Sequence, residues 1–468
     1  MVAYLIASAR YKFIYNVATR LSGKGIRQYL KKDYISFVNI DSSVYIRRIS
    51  HQPIEFSHYI LTNFQQIISQ SVLVLFTIVA ILFYHATLFL LLFALLMPAV
   101  FLLSWLLKKQ YNSVRQHIKK ASADTLKNLK EALSGYIESR IYDKDEFFAG
   151  RYYRQQKQMN QYICTQQSLQ YLPSRLIEVF AILGFLILIL INKWSAHSPA
   201  IDLLTISIFL AAAYKIIPGI VKIINSAGQM KTYEFTLNDL LADNDKKTSI
   251  KQSEPIRSIS LKKIHYKYND RPVLKGAGFE MVPGDFIGLS ADSGQGKTTL
   301  MHILLGFLEQ EEGVVSINDK IKNVNERQEY HSRVSYIKQQ PFLIHDTLKT
   351  NITLQEESHD ETRLNEVINF CGLDTLLALY PEGTGMMITE NGKNLSGGQR
   401  QRIMLARALY HDFDLLIMDE PFGEMDQASE DDILARLRLL ADRGKMILFI
   451  THNRAGLSFC NKVVSLDE

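Results

Sequence analysis

From residue 63 to residue 107 the chain carries no Asp, Glu, Lys or Arg. No ordinary soluble core sustains so long a charge-free run, because its helices keep a polar face toward water. A bilayer-spanning helix needs about 20 predominantly apolar residues, so the run holds two spans. Tyr84-His85-Ala86-Thr87 is the polar dip between them, which makes the pair a hairpin, and Lys108 and Lys109 close it. This run commits the first half of the chain to a membrane.

Two further spans are expected. Residues 176–191, ended by Asn192, Lys193 and Trp194, form the third, and Lys and Trp suit the membrane interface. The fourth runs from about residue 201 to 224 and contains Lys215 and Pro218. Lys215 either faces a cavity or partner helix or extends its ammonium to the interface. The net charge of +6 does not point to nucleic acid, because the basic excess lies in the first half beside apolar runs. There it obeys the positive-inside rule, placing residues 1–60 and 108–175 in the cytoplasm. Cys164, Cys371 and Cys460 lie far apart, which fits neither a disulfide frame nor a metal site. The expected organisation is a helical membrane domain over 1–241, a polar linker over 242–256 and a soluble α/β domain over 257–468.

The α/β domain turns on residues 288–300, Gly-Leu-Ser-Ala-Asp-Ser-Gly-Gln-Gly-Lys-Thr-Thr-Leu. An apolar strand precedes them and an apolar, helix-favouring stretch follows, the context of a phosphate-binding loop. Gly294 and Gly296 let backbone N–H groups approach an anion with no Cβ in the way. Ser293, Gln295 and Thr299 complete the loop and the first helical turn. Lys297 suits β/γ-phosphates, and the Thr298 hydroxyl suits Mg²⁺. Ala291 departs from the G-x-x-x-x-G-K-[ST] pattern, standing where its first Gly belongs.

Companion motifs follow in order. Residues 334–343 form a strand ending in a polar pair that includes Gln339. Residues 413–421 form an apolar strand ending in Asp419 and Glu420, and residues 447–452 another ending in His452. Strands apolar on both faces belong to a central parallel sheet, and such sheets bind ligands at their carboxyl ends. Asp419 is then placed to hold Mg²⁺, Glu420 to polarise an attacking water, and His452 to contact the γ-phosphate. Ser396-Gly397-Gly398-Gln399 opens a helix with a good N-cap and two glycines, a second phosphate site.

With these motifs together, residues 259–468 resemble the ATPase domain of ABC transporters. The whole chain resembles an exporter-type half-transporter, with membrane helices fused to one ATPase domain. The resemblance implies ATP and Mg²⁺ as cofactors, and ATP hydrolysis coupled to transport in a cell membrane, with the ATPase domain cytoplasmic. It implies that Tyr268 stacks on adenine, with Tyr266 as competitor, and that Gln339 reaches Mg²⁺ and senses the membrane domain. It further implies that Ser396–Gln399 completes the ATP site of a second half-transporter, expected to be an identical copy. Asp426, in Gly423-Glu-Met-Asp, takes a place where Ser-Ala-Leu-Asp is commoner. Glu390-Asn-Gly392 resembles the exporter loop that touches the membrane domain, and residues 29–38 and 134–142 resemble its coupling segments. Against the exporter pattern, 63–107 takes the place of the third and fourth spans. The chain is thus expected to begin inside the second, with residues 2–23 helical and bare of partners at their start.

The substrate signal is shorter. Residues 29–37 with Asp41-Ser-Ser43 resemble the first cytoplasmic loop of lipid-linked oligosaccharide flippases. This points to a lipid or lipid-linked glycan; peptides, hydrophobic small molecules and a transport-inactive ATPase subunit are the alternatives. A soluble ABC ATPase acting on DNA or ribosomes is opposed by the run 63–107. A non-hydrolysing regulatory subunit predicts loss of Glu420 or His452, and both are present.

Overall fold

The computed structural model describes residues 1–32, 34–84, 117–194, 203–241, 254–290 and 295–466, with isolated positions at 98, 101, 110 and 114. It divides into two compact units, Met1–Lys246 and Lys247–Glu468. The second span of the expected hairpin, around 85–107, lies outside the described residues except at 98 and 101, as do the loop at 195–199 and most of the expected linker.

The first unit is built from long helices. Val2–Leu30 is one helix, with Val2, Tyr4, Leu5 and Ile6 exposed in its first turns. Ser42–Phe83 is one 42-residue helix. It widens through π-helical turns at Arg47–His51 and Phe56–Leu61, on either side of Pro53. It is the one helix among the described residues long and apolar enough to cross a membrane. Its apolar face is open: Phe76 is 70% and Phe83 90% exposed. The core helix of a soluble domain would bury such side chains.

The expected third span does not start a new helix. It is the end of a 50-residue helix, Asp145–Trp194, that runs through Pro173. At 1.5 Å per residue the helix is about 75 Å long, over twice the hydrocarbon thickness of a bilayer. The 39-residue helix Leu203–Leu241 likewise continues through Pro218, and Lys215 is on its exposed side. These helices meet in a small core of Ile81, Val114, Ile118, Leu169 and Ile216. Gly219 permits the closest approach, since a Cβ there would stand 2.6 Å from Val74 Cγ2. The bases of the helices are tied by polar contacts. Tyr59 stacks on Tyr233 at 3.8 Å, and Asn63 Nδ2 donates to Gln229 Oε1 at 2.9 Å.

The second unit holds two main sheets. Strands β1 (Ile259–Tyr268), β2 (Arg271–Met281), β4 (Glu312–Ile317) and β5 (Lys320–Ile321) form an antiparallel sheet in the order β2-β1-β4-β5. Asn269 and Asp270, both with left-handed φ, make the tight turn between β1 and β2. The central sheet is parallel, in the order β11-β3-β10-β9-β6. It uses β3 (Phe286–Ser290), β6 (Val334–Ile337), β9 (Leu415–Asp419), β10 (Met446–Ile450) and β11 (Lys462–Ser465). Every residue of β9 and β10 is buried, as continuous apolar runs covered on both faces require. A two-stranded ribbon, β7 (Asp346–Thr347) with β8 (Met387–Ile388), lies in the connection that leads to the Gly397–Tyr410 helix.

Candidate active site

The register of the parallel sheet assembles the site. Leu289 pairs with Ile450, Ile450 with Asp419, and Met418 with Ile337. The carboxyl ends of four strands therefore finish in one row. One or two residues past that row come Glu420, His452 and Gln339, and β3 leads into the glycine loop. Residues 291–294, which include Ala291, Ser293 and Gly294, lie outside the described residues.

Gly296 caps the Lys297–Leu304 helix with φ 88°, a left-handed conformation. A Cβ there would meet Leu274 Cδ2 at 2.7 Å, so both conformation and space demand glycine. Lys297 is the first residue of that helix and is buried. Its Nζ stands 3.4 Å from Glu420 Oε1. Thr298 Oγ1 donates to Asp419 Oδ2 at 3.4 Å, and Thr299 is buried beside it. Gln339 Nε2 donates to Glu420 Oε2 at 2.7 Å, which places it on the carboxylate expected to polarise water. His452 Nδ1 is 3.4 Å from Glu420 Oε1, and its side chain is 73% exposed.

Glu420 thus gathers Lys297, Gln339 and His452. It does so with φ 46°, a left-handed backbone that costs a non-glycine residue about 1–3 kcal/mol and is concentrated at functional sites. Its N–H donates to Ile450 O at 3.0 Å, which fixes the turn. Asp419 lies at the end of buried β9. Burial, and then the neighbouring Glu420 charge, push its carboxyl above the usual range, against the opposing pull of Lys297 and Thr298. A buried carboxylate of this kind favours the arrival of a cation.

The second helix start expected to take a phosphate begins at Gly397. Ser396 Oγ accepts from Gln399 N at 3.3 Å, and Gln399 Oε1 accepts from Ser396 N at 2.8 Å, a reciprocal capping box on the 14-residue helix Gly397–Tyr410. Ser396 is thereby capped within its own helix. Asp426 caps the next helix, Gln427–Asp442, by accepting from Ser429 N at 2.9 Å. The Ser429 contacts hold its carboxyl below the usual range. Tyr268 is 47% exposed and edge-on to the more buried Tyr266, with centroids 4.9 Å apart. Of the two, Tyr268 is the more exposed.

Sequence reasoning missed several supports. A cleft of about 380 Å³ beside Glu420 and His452 is also lined by Glu430, Thr451 and Asn453. Asn453 donates to Glu430 there at 3.1 Å. Half-buried Arg407, on the Gly397–Tyr410 helix, donates to Phe342 O at 2.8 Å and to Asn351 O at 2.6 Å. It thereby fastens the loop after Gln339 to that helix. Asn391 N donates to Leu343 O at 3.1 Å, so the Glu390–Gly392 turn is joined to the same loop. An arginine on a helix that already reads as amphipathic carries no signal of these distant partners.

Residues 274–423 match the ABC transporter family. The chain carries an ABC transporter domain. A Rickettsia bellii protein named as an export ATP-binding/permease protein is 32% identical over 46% of this chain and 38% of its own length. The ATP-dependent lipid A-core flippase of Saccharophagus degradans is 30% identical over 62% of this chain and 49% of its own. The chain thus spans about half or less of the length of the curated relatives it matches. A bacterial Atm1-family ABC exporter solved with ATP bound has the same fold, with TM-score 0.85 at 16% identity, over 98% of this chain and 81% of that one.

Proposed function

We propose that this chain is one half of an ATP-driven exporter or flippase, working with a second copy. The observation that carries the reading is the convergence of Lys297, Thr298, Asp419, Glu420, Gln339 and His452 at the ends of one parallel sheet.

The residues fit ATP with Mg²⁺. Gly296 leaves space where any Cβ would clash, and buried Lys297 supplies positive charge. Among the described residues no cluster of three His, Cys, Asp or Glu side chains could hold a metal alone. Mg²⁺ needs no such cage, because nucleotide phosphates and water complete its shell beside one or two protein oxygens. Thr298 Oγ1 and Asp419 would hold it, and the ion would neutralise charge on the phosphates. Glu420 accepts a proton from the attacking water, and His452 and Gln339 orient that carboxylate. Tyr268 supports the base, and Ser396 to Gln399 serves the nucleotide of the other copy.

In this reading the helical unit crosses the membrane four times, and residues 1–60 and 108–175 stay with the ATPase domain in the cytoplasm. The short helices Tyr34–Asn39 and Tyr136–Ile141 expose Ile35, Phe37, Tyr136 and Ile137. They suit transmission of movement between the units. The substrate class is a lipid or lipid-linked glycan, supported by the residue 29–43 pattern and by the flippase among the relatives.

The test is complementation. Lys297→Ala and Ser396→Ala chains are each inactive alone, and mixing them restores one composite site in heterodimers. Absence of ATP turnover in every mixture, with wild-type chain active, sinks the two-copy arrangement. Proteoliposomes loaded with labelled lipid, peptide or glycolipid then decide the substrate.

A further inference from the structure

The loop between β9 and the Gln427–Asp442 helix carries Glu424, a residue no function above uses. Its carboxylate packs directly on Gly397: an ideal Cβ there would lie 1.6 Å from Glu424 Oε2 and 2.5 Å from Cδ. The same oxygen accepts from Arg400 Nη2 at 3.0 Å. Glu424 N donates to Gln401 Oε1 at 3.1 Å, so the backbone is anchored to the same helix. Gly398 faces the Glu424 carbonyl, 3.3 Å from its own ideal Cβ position. A fixed negative charge therefore rests against the first turn of the helix that, in the reading proposed above, receives a nucleotide phosphate from the second copy.

We propose that Glu424 sets the ATP concentration at which the two copies close, by opposing the phosphate at the Gly397–Tyr410 helix start. The inference rests on the proposed ATPase reading. Two anions cannot share one helix terminus without repulsion, and each is favoured there by the same N–H groups and dipole. Arg400 offsets part of the charge and holds the carboxylate in place while the site waits. When phosphate arrives, the Glu424 side chain, half exposed on its outer side, has room to swing away, and Arg400 is released to face the phosphate. Glu424 touches no reacting atom; it tunes affinity without entering the chemistry.

The experiment measures ATP turnover of the full chain in detergent against Mg-ATP concentration, for wild type, Glu424→Gln and Glu424→Ala, at low and high salt. One charge at a helix N-terminus changes anion affinity by about two- to five-fold. Both variants are expected to reach half-saturation at ATP concentrations lower by that factor, with kcat kept within twofold. The gap is expected to narrow at high salt, where exposed charges are screened. A purely structural role for Glu424 would move melting temperature or kcat and leave no salt-dependent shift in half-saturation. Wild-type half-saturation in both variants at low salt overturns the proposal. A wild-type chain that hydrolyses no ATP overturns the underlying ATPase reading instead.

Discussion

Glu420→Gln separates chemistry from binding. The wild-type carboxylate has Lys297 Nζ and His452 Nδ1 each 3.4 Å from Oε1, and accepts from Gln339 at 2.7 Å on Oε2. Gln keeps the shape and one acceptor oxygen but removes the charge and the proton-accepting ability. Folding should change little, because Glu and Gln meet the same cost at φ 46°. Lys297 is buried; it keeps the amide oxygen as an acceptor but loses the charge of that partner. Asp419 ionises more readily once the neighbouring charge is gone, since Glu420 is the second cause of its raised carboxyl. The ligands for Mg²⁺ and phosphate therefore survive. A positioned general base contributes about 10²–10⁴-fold, equal to roughly 3–5 kcal/mol of barrier. The assay pairs phosphate release at saturating Mg-ATP with binding of a fluorescent ATP analogue. Turnover is expected to fall at least about a hundredfold while binding stays within a few-fold. Near-normal turnover removes Glu420 from the role of base. Binding that falls in step with turnover refutes the separation of its two functions.

Asp419→Asn should raise the melting temperature of nucleotide-free protein at pH 7 while abolishing Mg-dependent turnover. The sign follows from its raised folded pKa: the native state holds this proton more tightly than the unfolded one. That stability is present at low pH and is lost as pH rises above the ordinary aspartate value of the unfolded chain and through the raised folded value. The gap between variant and wild type should therefore close in acid, measured by thermal melts across pH. Ser396→Ala removes the cap on Gln399 N and should cost about 0.5–2 kcal/mol in denaturant melts, besides losing turnover. Phe449, 1% exposed between Phe286 and Phe422, should cost about 3–5 kcal/mol as Phe449→Ala. An unchanged melt would mean that the β10 core is packed differently. Gly397→Ala should be destabilised by the Glu424 overlap, and adding Glu424→Ala should restore most of the loss; additivity of the two would contradict the contact.

The parts that could be read in the sequence are those whose signal is local. Strands β9 and β10 are uninterrupted apolar runs ending in polar residues, so burial on both faces and a site at their ends follow from composition alone. The capping box at Ser396 is four residues long and is visible in the letters. The charge-free run supplies, for the same reason, the part of Ser42–Phe83 that makes this helix long and apolar enough to cross a membrane. What stayed hidden depends on partners far away in the chain. Arg407 and Asn351 are 56 positions apart, and nothing in either neighbourhood names the other. The left-handed Glu420 is also invisible, because glutamate gives no warning of it. Helix continuity misled in the opposite way. Polar and apolar segments on either side of residue 175 share one helical period, so the change in composition does not mark an end of the helix. The count of spans, unlike the presence of one, therefore does not follow from helix boundaries.

The hidden contacts also explain why a complete set of motifs does not make a complete site. The domain has two helix starts suited to phosphate, Lys297–Leu304 and Gly397–Tyr410. Each has a carboxylate of its own chain beside it: Glu420 on Lys297, and Glu424 on Gly397. In the proposed reading the first belongs there for chemistry, because a base must stand near the phosphate it helps to cleave. The second has no chemical duty, yet its oxygen is so close that only glycine fits beneath it. In the proposed reading, nucleotide meets a cation at one helix start and an anion at the other. Binding to a single domain is then favourable, whereas closing two domains around the nucleotide must overcome repulsion. Such a chain waits with ATP loaded until something else contributes to closure. The candidate for that contribution is the exposed apolar surface of Tyr34–Asn39 and Tyr136–Ile141, so saturating substrate should lower half-saturating ATP more in wild type than in Glu424→Gln.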